Sequence, residues 1–530
     1  MNPTRIVARV VLIAAAAFTL PAHAASPAAP AVSVHAGLKQ LQFTWNQVPE
    51  ATRYELWFYP NTGAAWVKYA ALPRWRTSVT VNISAHLLHW ANARYVVKAC
   101  NASGCGRSPH LAVSHVMQRS VGFFKPPAQV ARQQMGSTTD ISEDGSTLAA
   151  AIDTDDSGGV EVFRRSSAGW VYETRLMADP KEQALVYPVD PSTAVSGDGN
   201  VIALGVNVEI PPGGDPESNL NTGAVYVFRR GATGWSRDQK ITFPAAWSED
   251  EFGWRVDLDE SGTLLAATRK RGDPVTPNPG VNQGSIELFR HSSSGWAREA
   301  SIPDTCFAMG LSGDGRTLVR SCGSSVEVFT APDWHRVASL PNALYFMSEF
   351  SIYPRNIAVS HDGSSFALRS VVYDGEFAVA RASVNVYRLG ANGWAREASL
   401  GPGDALNPGA EENPHGGYGL AVSMSRDGQF LAVGAHGLSA VGTGAIYPPG
   451  ATGYGRGAVF VYQRKSAGWQ LRQFLTPDSF PQPLFGWSLS FGRNGKDLAV
   501  GAPWDASNAA GVGGNPMDES EPFRGAVWLY

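Results

Sequence analysis

The residues able to do chemistry are few, and they form no familiar linear pattern. The chain has four cysteines and eleven histidines. Cys100 and Cys105 flank the turn-like run Asn101-Ala102-Ser103-Gly104, and Cys306 and Cys322 flank Ser312-Gly313-Asp314-Gly315. Across a hairpin, each pair is placed to form a disulfide. Neither a two-residue cysteine spacing nor a neighbouring histidine points to redox or zinc chemistry. Two structural disulfides are therefore expected, in an oxidising compartment. The sequence carries no HExxH, no Gly-x-Ser-x-Gly, no phosphate loop and no dinucleotide fingerprint. The histidines are scattered. Asp153-Thr154-Asp155-Asp156 is acidic enough to attract a cation but reads as a solvated loop, and Arg271-Gly272-Asp273 reads as a chance match in a small polar loop. No cofactor and no metal is expected. A catalytic site assembled from distant segments stays open. The candidate binding residues are Tyr447, Tyr454 and Trp504, because Tyr and Trp are enriched where proteins make their strongest contacts.

These side chains must be positioned by β-structure. Of 530 residues, 44% are hydrophobic and 17% charged, enough apolar material for large cores. The formal charge of -3, with no basic block, excludes a nucleic-acid binder. With 56 glycines and 35 prolines, the composition favours short strands and turns over helices. Residues 1–24 read as a signal peptide: Arg5 and Arg9, an apolar run from Val10 to Leu20, then Ala22-His23-Ala24. No later segment is long and apolar enough to span a bilayer, so an extracytoplasmic protein is expected, secreted or periplasmic.

From residue 136 one unit recurs seven times. It opens on a turn such as Ser142-Glu143-Asp144-Gly145, Ser196-Gly197-Asp198-Gly199 or Ser425-Arg426-Asp427-Gly428, a hairpin signal. A short apolar strand follows, for example Phe430-Leu431-Ala432-Val433. After a loop of variable length comes an alternating strand, as in Val225-Tyr226-Val227-Phe228 or Val459-Phe460-Val461-Tyr462. A short turn leads to a fourth strand at Trp170, Trp235, Trp296, Trp334, Trp394 and Trp469, and this recurrence gives those tryptophans a structural role. Four strands in each of seven units predict an all-β fold with a seven-bladed β-propeller. The last unit reaches only its third strand at Tyr530, so the segment 120–127 is expected to supply the fourth and close the ring.

Phe485-Gly486-Trp487-Ser488, then Leu498-Ala499-Val500-Gly501-Ala502-Pro503, then Gly525-Ala526-Val527-Trp528 resemble an FG-GAP repeat, and Phe252-Gly253-Trp254 and Leu431-Ala432-Val433-Gly434-Ala435 repeat parts of it. The resemblance is to integrin α-like propellers and covers residues 119–530. It implies a ligand face and a role in protein binding or cell adhesion. The Asp-x-Asp/Asn-x-Asp-Gly loop of calcium-binding members is missing, so calcium is not carried over. Residues 30–117 resemble a fibronectin type III domain, with Trp45 in the core and Tyr95 near a strand start.

The long second-to-third loops, near 205–223, 268–284, 434–457 and 501–525, share one face in a propeller with the fourth-to-first connections, and insertions on one face mark a binding surface. The sequence thus reads as a secreted or periplasmic non-enzymatic recognition protein. Its expected partner is a protein or glycan, with no nucleic acid. The alternatives are a polysaccharide-acting propeller hydrolase or lyase, or a structural component of an envelope complex.

Overall fold

A computed structural model describes residues 25–37, 39–59, 65–83, 93–113, 121–128, 133–154, 157–166, 169–179, 191–209, 222–243, 250–270, 284–304, 308–322, 325–341, 356–373, 379–402, 416–438, 456–477, 484–516, 520 and 523–530. The expected signal peptide, most of the loop 434–457 and Cys306, one half of the expected second disulfide, lie outside the described residues. The described fold is all-β, and among the described residues no helix is long and apolar enough to cross a membrane. The chain divides into two compact units.

Before residue 114 the described chain forms two sheets, most of whose residues belong to the smaller unit. One has the order Val32–Gly37, Gln40–Trp45, Ser78–Asn82. The other runs Val67–Pro73, Arg53–Tyr59, Arg94–Asn101, Gly104–Arg107, with Leu111–Ala112 also pairing Arg94–Asn101. Alternation drives burial: in Gln40–Trp45 the residues Leu41, Phe43 and Trp45 are buried while their neighbours face outward. Phe43 and Tyr95 pack with ring centres 4.7 Å apart. Cys100 and Cys105 form a disulfide across the tight turn that joins two strands.

The larger unit contains, among its described residues, seven four-stranded antiparallel sheets. Thr139–Ile141, Thr147–Asp153, Gly158–Ser166 and Gly169–Met177 form the first. Five more follow in sequence order over 192–241, 256–304, 308–341, 357–400 and 422–475. The seventh orders Ser488–Gly492, Asp497–Ala502 and Ala526–Leu529, and its fourth strand is Gly122–Phe124. The first strands of the sheets touch in a cycle, each meeting the next and the seventh meeting the first. That cyclic arrangement is a β-propeller.

Each repeated motif has a physical task. In Ser142-Glu143-Asp144-Gly145 the Ser142 hydroxyl donates to Asp144 (2.6 Å) and accepts from the Thr147 N–H (3.0 Å), while Asp144 accepts from the Ser146 N–H (2.8 Å). The same bonds recur around Ser196, Ser312, Ser360 and Ser425. These carboxylates are spent on backbone amides. Although burial opposes it, the bonds from Ser196 and Asn200 hold Asp198 below its ordinary range.

The tryptophans stitch neighbouring sheets. Trp235, Trp296, Trp334 and Trp469 donate their indole N–H to Glu173 (2.9 Å), Asp238 (3.1 Å), Glu299 (2.8 Å) and Glu397 (3.0 Å) of the preceding sheet. Arg230 and Arg464 pair with Glu173 and Glu397 from the same side as the indole. The regular recurrence of these residues therefore serves the fold.

Phe-Gly and Gly-Ala are two halves of one inter-sheet contact. The Phe485 N–H donates to the Arg456 carbonyl at 3.1 Å, and Phe485 forms a parallel bridge with Gly457. A side-chain carbon at Gly457 would lie 2.0 Å from the Phe485 carbonyl oxygen. Gly223 and Phe252 repeat the arrangement.

Candidate functional site

The two ends of the propeller differ in construction. At one end lie the second-to-third loops. Of these, the loop after Asp497–Ala502 is described for most of its length. It is held from within. The Lys125 ammonium lies 3.0 Å from Asp505, with both side chains out of solvent, and also donates to the Ser507 carbonyl. Asp505 accepts from the Ser507 N–H at 3.0 Å, and the Ser507 hydroxyl donates to the Asn515 carbonyl at 2.9 Å. The Lys125 N–H reaches the Gly511 carbonyl (2.9 Å), and the Gly513 N–H reaches the Phe123 carbonyl (2.8 Å). The strand that completes the seventh sheet therefore also braces its loop.

Trp504 stands on this loop. Its side chain is 39% exposed, and its ring meets Phe523, equally exposed, edge to face at 5.4 Å. The other two expected contact aromatics, Tyr447 and Tyr454, lie outside the described residues, so the structure does not bring the three together. A comparable support occurs in the third sheet, where Arg269 and Asp250 form a buried pair at 2.7 Å. In the sixth, His436 is buried against Trp487, and burial drops its pKa to about 4.

At the opposite end are the tight first-to-second turns. Their second residues surround the axis: Glu143, Gly197, Glu260, Gly313, His361 and Arg426 line one cavity of about 130 Å³ together with Asp140 and Asp257 from the first strands. Backbone bonds link the turns around this mouth: Gly197 N–H to Glu260 O, Glu260 N–H to Gly313 O, Asp314 N–H to His361 O and His361 N–H to Arg426 O, between 2.8 and 3.0 Å.

Within the mouth, charges from separate sheets meet. Arg426 Nε lies 3.2 and 3.1 Å from the two Glu260 carboxylate oxygens, His361 Nδ1 lies 2.8 Å from Glu260, and Arg426 Nη2 lies 3.1 Å from His361 Nε2. Because a guanidinium only donates, His361 Nε2 accepts from Arg426. Glu143 accepts from the Asn494 N–H at 2.7 Å. Burial pushes its carboxyl up to about 7 against that bond, with Glu260 adding to the rise.

Sequence reasoning passed over Glu143, Glu260, His361 and Arg426. Their signal was present: each occupies the second position of a recurring turn that ends in glycine, the position that varies most from repeat to repeat. Lys125 was also missed, because its partner lies hundreds of residues away in the chain. Among the described residues no group of three or more His, Cys, Asp or Glu could hold a metal ion.

No protein-family model matches the chain, and no curated relative does. Solved structures similar to it are propellers at low identity. One, described as a candidate 6-phosphogluconolactonase of Bacteroides uniformis, is 12% identical with a TM-score of 0.38, covering 81% of this chain and 97% of that one. The periplasmic gluconolactonase PpgL of Pseudomonas aeruginosa is 12% identical with a TM-score of 0.38, covering 80% and 95%. The WD40 domain of Toxoplasma gondii coronin is 8% identical with a TM-score of 0.42, covering 77% and 83%. Likeness at these values carries no argument about activity.

Proposed function

We propose that this is a secreted or periplasmic recognition protein that binds a protein or glycan through the long-loop end of its propeller. In this reading residues 30–117 are a fibronectin type III-like module and residues 119–530 a seven-bladed FG-GAP-like propeller. The observation that supports it is the Lys125–Asp505 pair, which fixes the loop bearing Trp504 and leaves that ring and Phe523 open to solvent. A loop ordered before contact loses less entropy on binding, and an exposed aromatic on such a loop is the common anchor of a recognition surface. The test is a glycan-array and envelope-extract binding screen with wild type and a Trp504→Ala/Phe523→Ala variant. The reading requires binding that the variant loses while its melting temperature is kept. Binding unchanged in the variant, or absent in both proteins, sinks it.

A second reading is favoured by one observation, the carboxyl of Glu143 held near pH 7 at the cavity mouth beside Glu260, His361 and Arg426. A carboxyl so placed is suited to general acid–base work on a polysaccharide. Hydrolysis or elimination on polysaccharide substrates, abolished by Glu143→Gln, would establish it, and full activity in that variant would remove it.

A further inference from the structure

Residues 25–117 carry eight Lys and Arg against two Asp and Glu, a formal charge of +6, whereas residues 118–530 carry 33 against 44, a charge of -11. The near-neutral total conceals this division. A segment so basic is drawn to anionic surfaces.

Several of its cations are already engaged. Glu55 accepts from Trp57 Nε1 (2.8 Å), Lys68 (2.9 Å) and Arg53 (3.2 Å), and the Lys98 ammonium sits 3.7 Å over the Trp57 ring. The turn that follows Val67–Pro73 differs. The Arg76 N–H donates to the Pro73 carbonyl at 3.0 Å, which lifts Arg74-Trp75-Arg76 to the surface. All three side chains are exposed, and Trp75 at 75% is the most exposed large hydrophobic among the described residues. Among the described residues nothing pairs with the Arg74 or Arg76 guanidinium. Among the described residues the strand leading into the turn is a sheet edge, bonded to Arg53–Tyr59 alone, and it exposes Val67 and Tyr69.

A turn that only reversed the chain would be served by polar residues. An indole in full view between two free guanidinia answers another need. Indoles settle at the headgroup level of bilayers, and basic residues beside them are held by anionic headgroups. A sugar platform would need acceptors for hydroxyl groups around the ring, whereas this turn's side chains supply donors only.

We propose that the Arg74-Trp75-Arg76 turn docks on anionic lipid bilayers, with the indole seated among the headgroups and the guanidinia on lipid phosphates. This docking is independent of the Trp504 loop.

The test is flotation of the full mature chain with vesicles of phosphatidylcholine mixed with phosphatidylglycerol, and with phosphatidylcholine alone. Binding is expected for the mixed vesicles only, weakening as salt rises. Trp75→Ala and Arg74→Gln/Arg76→Gln should each weaken it roughly tenfold or more, and only the arginine variant should flatten the salt dependence. An unchanged melting temperature shows that both variants fold. Equal binding to both vesicle types, or undiminished binding in either variant, overturns the proposal. Binding to a soluble polyanionic glycan such as heparin without vesicle binding overturns it in favour of an acidic-glycan surface.

Discussion

Lys125 and Asp505 face each other at 3.0 Å with side-chain exposures of 0% and 1%, joining the strand that completes the seventh sheet to the loop that carries Trp504. An ion pair so enclosed does little for net stability, but losing one member leaves an uncompensated charge. Lys125→Ala should cost about 3–5 kcal/mol in chemical denaturation. Adding Asp505→Asn should recover part of that loss. A cost below about 1 kcal/mol would mean that the pair is solvated.

The contact between Gly457 and Phe485 is backbone on backbone. A β-carbon at Gly457 would sit 2.0 Å from the Phe485 carbonyl oxygen, and its φ of 84° disfavours other residues. Gly457→Ala should therefore destabilise by about 2 kcal/mol or more, since neither strand can withdraw without opening the sheets. Gly468 has a similarly positive φ but nothing nearby, so Gly468→Ala should cost less. Equal losses in the two variants would show that strain, and not the contact, governs.

Glu173 holds both Trp235 (2.9 Å) and Arg230 (2.7 Å) across a sheet boundary. Removing it with Glu173→Ala should cost about 1.5–3 kcal/mol. Trp235→Phe, which keeps most of the packing, should cost about 1 kcal/mol. A double-mutant cycle measures the coupling directly, and additive losses would deny the stitch.

Glu143 gives a pH dependence of defined sign. Its folded pKa of about 7 lies above the ordinary value of 4.5, so folding favours the protonated form. That contribution is complete below pH 4.5 and is lost as pH rises through 7. Glu143→Gln should thus match wild type in acid and exceed it above neutrality, by about 1 kcal/mol after allowance for solvent screening. Thermal melts at acid and alkaline pH read the difference, and a constant offset between the proteins would place the carboxyl in solvent.

The repeat was legible because each landmark answers a local need. Ser142 and Asp144 cap their own turn, Val225-Tyr226-Val227-Phe228 is apolar throughout because both of its faces are covered, and Trp235 falls where a neighbouring carboxylate waits. The site was less legible because it depends on cyclic neighbours. Glu260, His361 and Arg426 meet only through ring geometry, and nothing in their spacing along the chain reveals it. Lys125 lies in the segment expected to close the ring, but its burial is decided by a loop made much later in the chain. Trp504 was singled out because an aromatic in a long, Gly-rich loop is conspicuous in sequence, and its contact role belongs to the proposal.

The strand Gly122–Phe124 has a consequence for biogenesis. A ribosome delivers it early, yet its partner Ala526–Leu529 is made only after the strands of the other six sheets. Until then Phe123 and Phe124, buried in the finished ring, have no cover. Every other sheet can assemble from strands that emerge consecutively. The seventh waits, so a nascent or truncated chain carries an open seam at the point where the loop with Trp504 is later braced. Only a polypeptide translated through its seventh sheet can shut that seam.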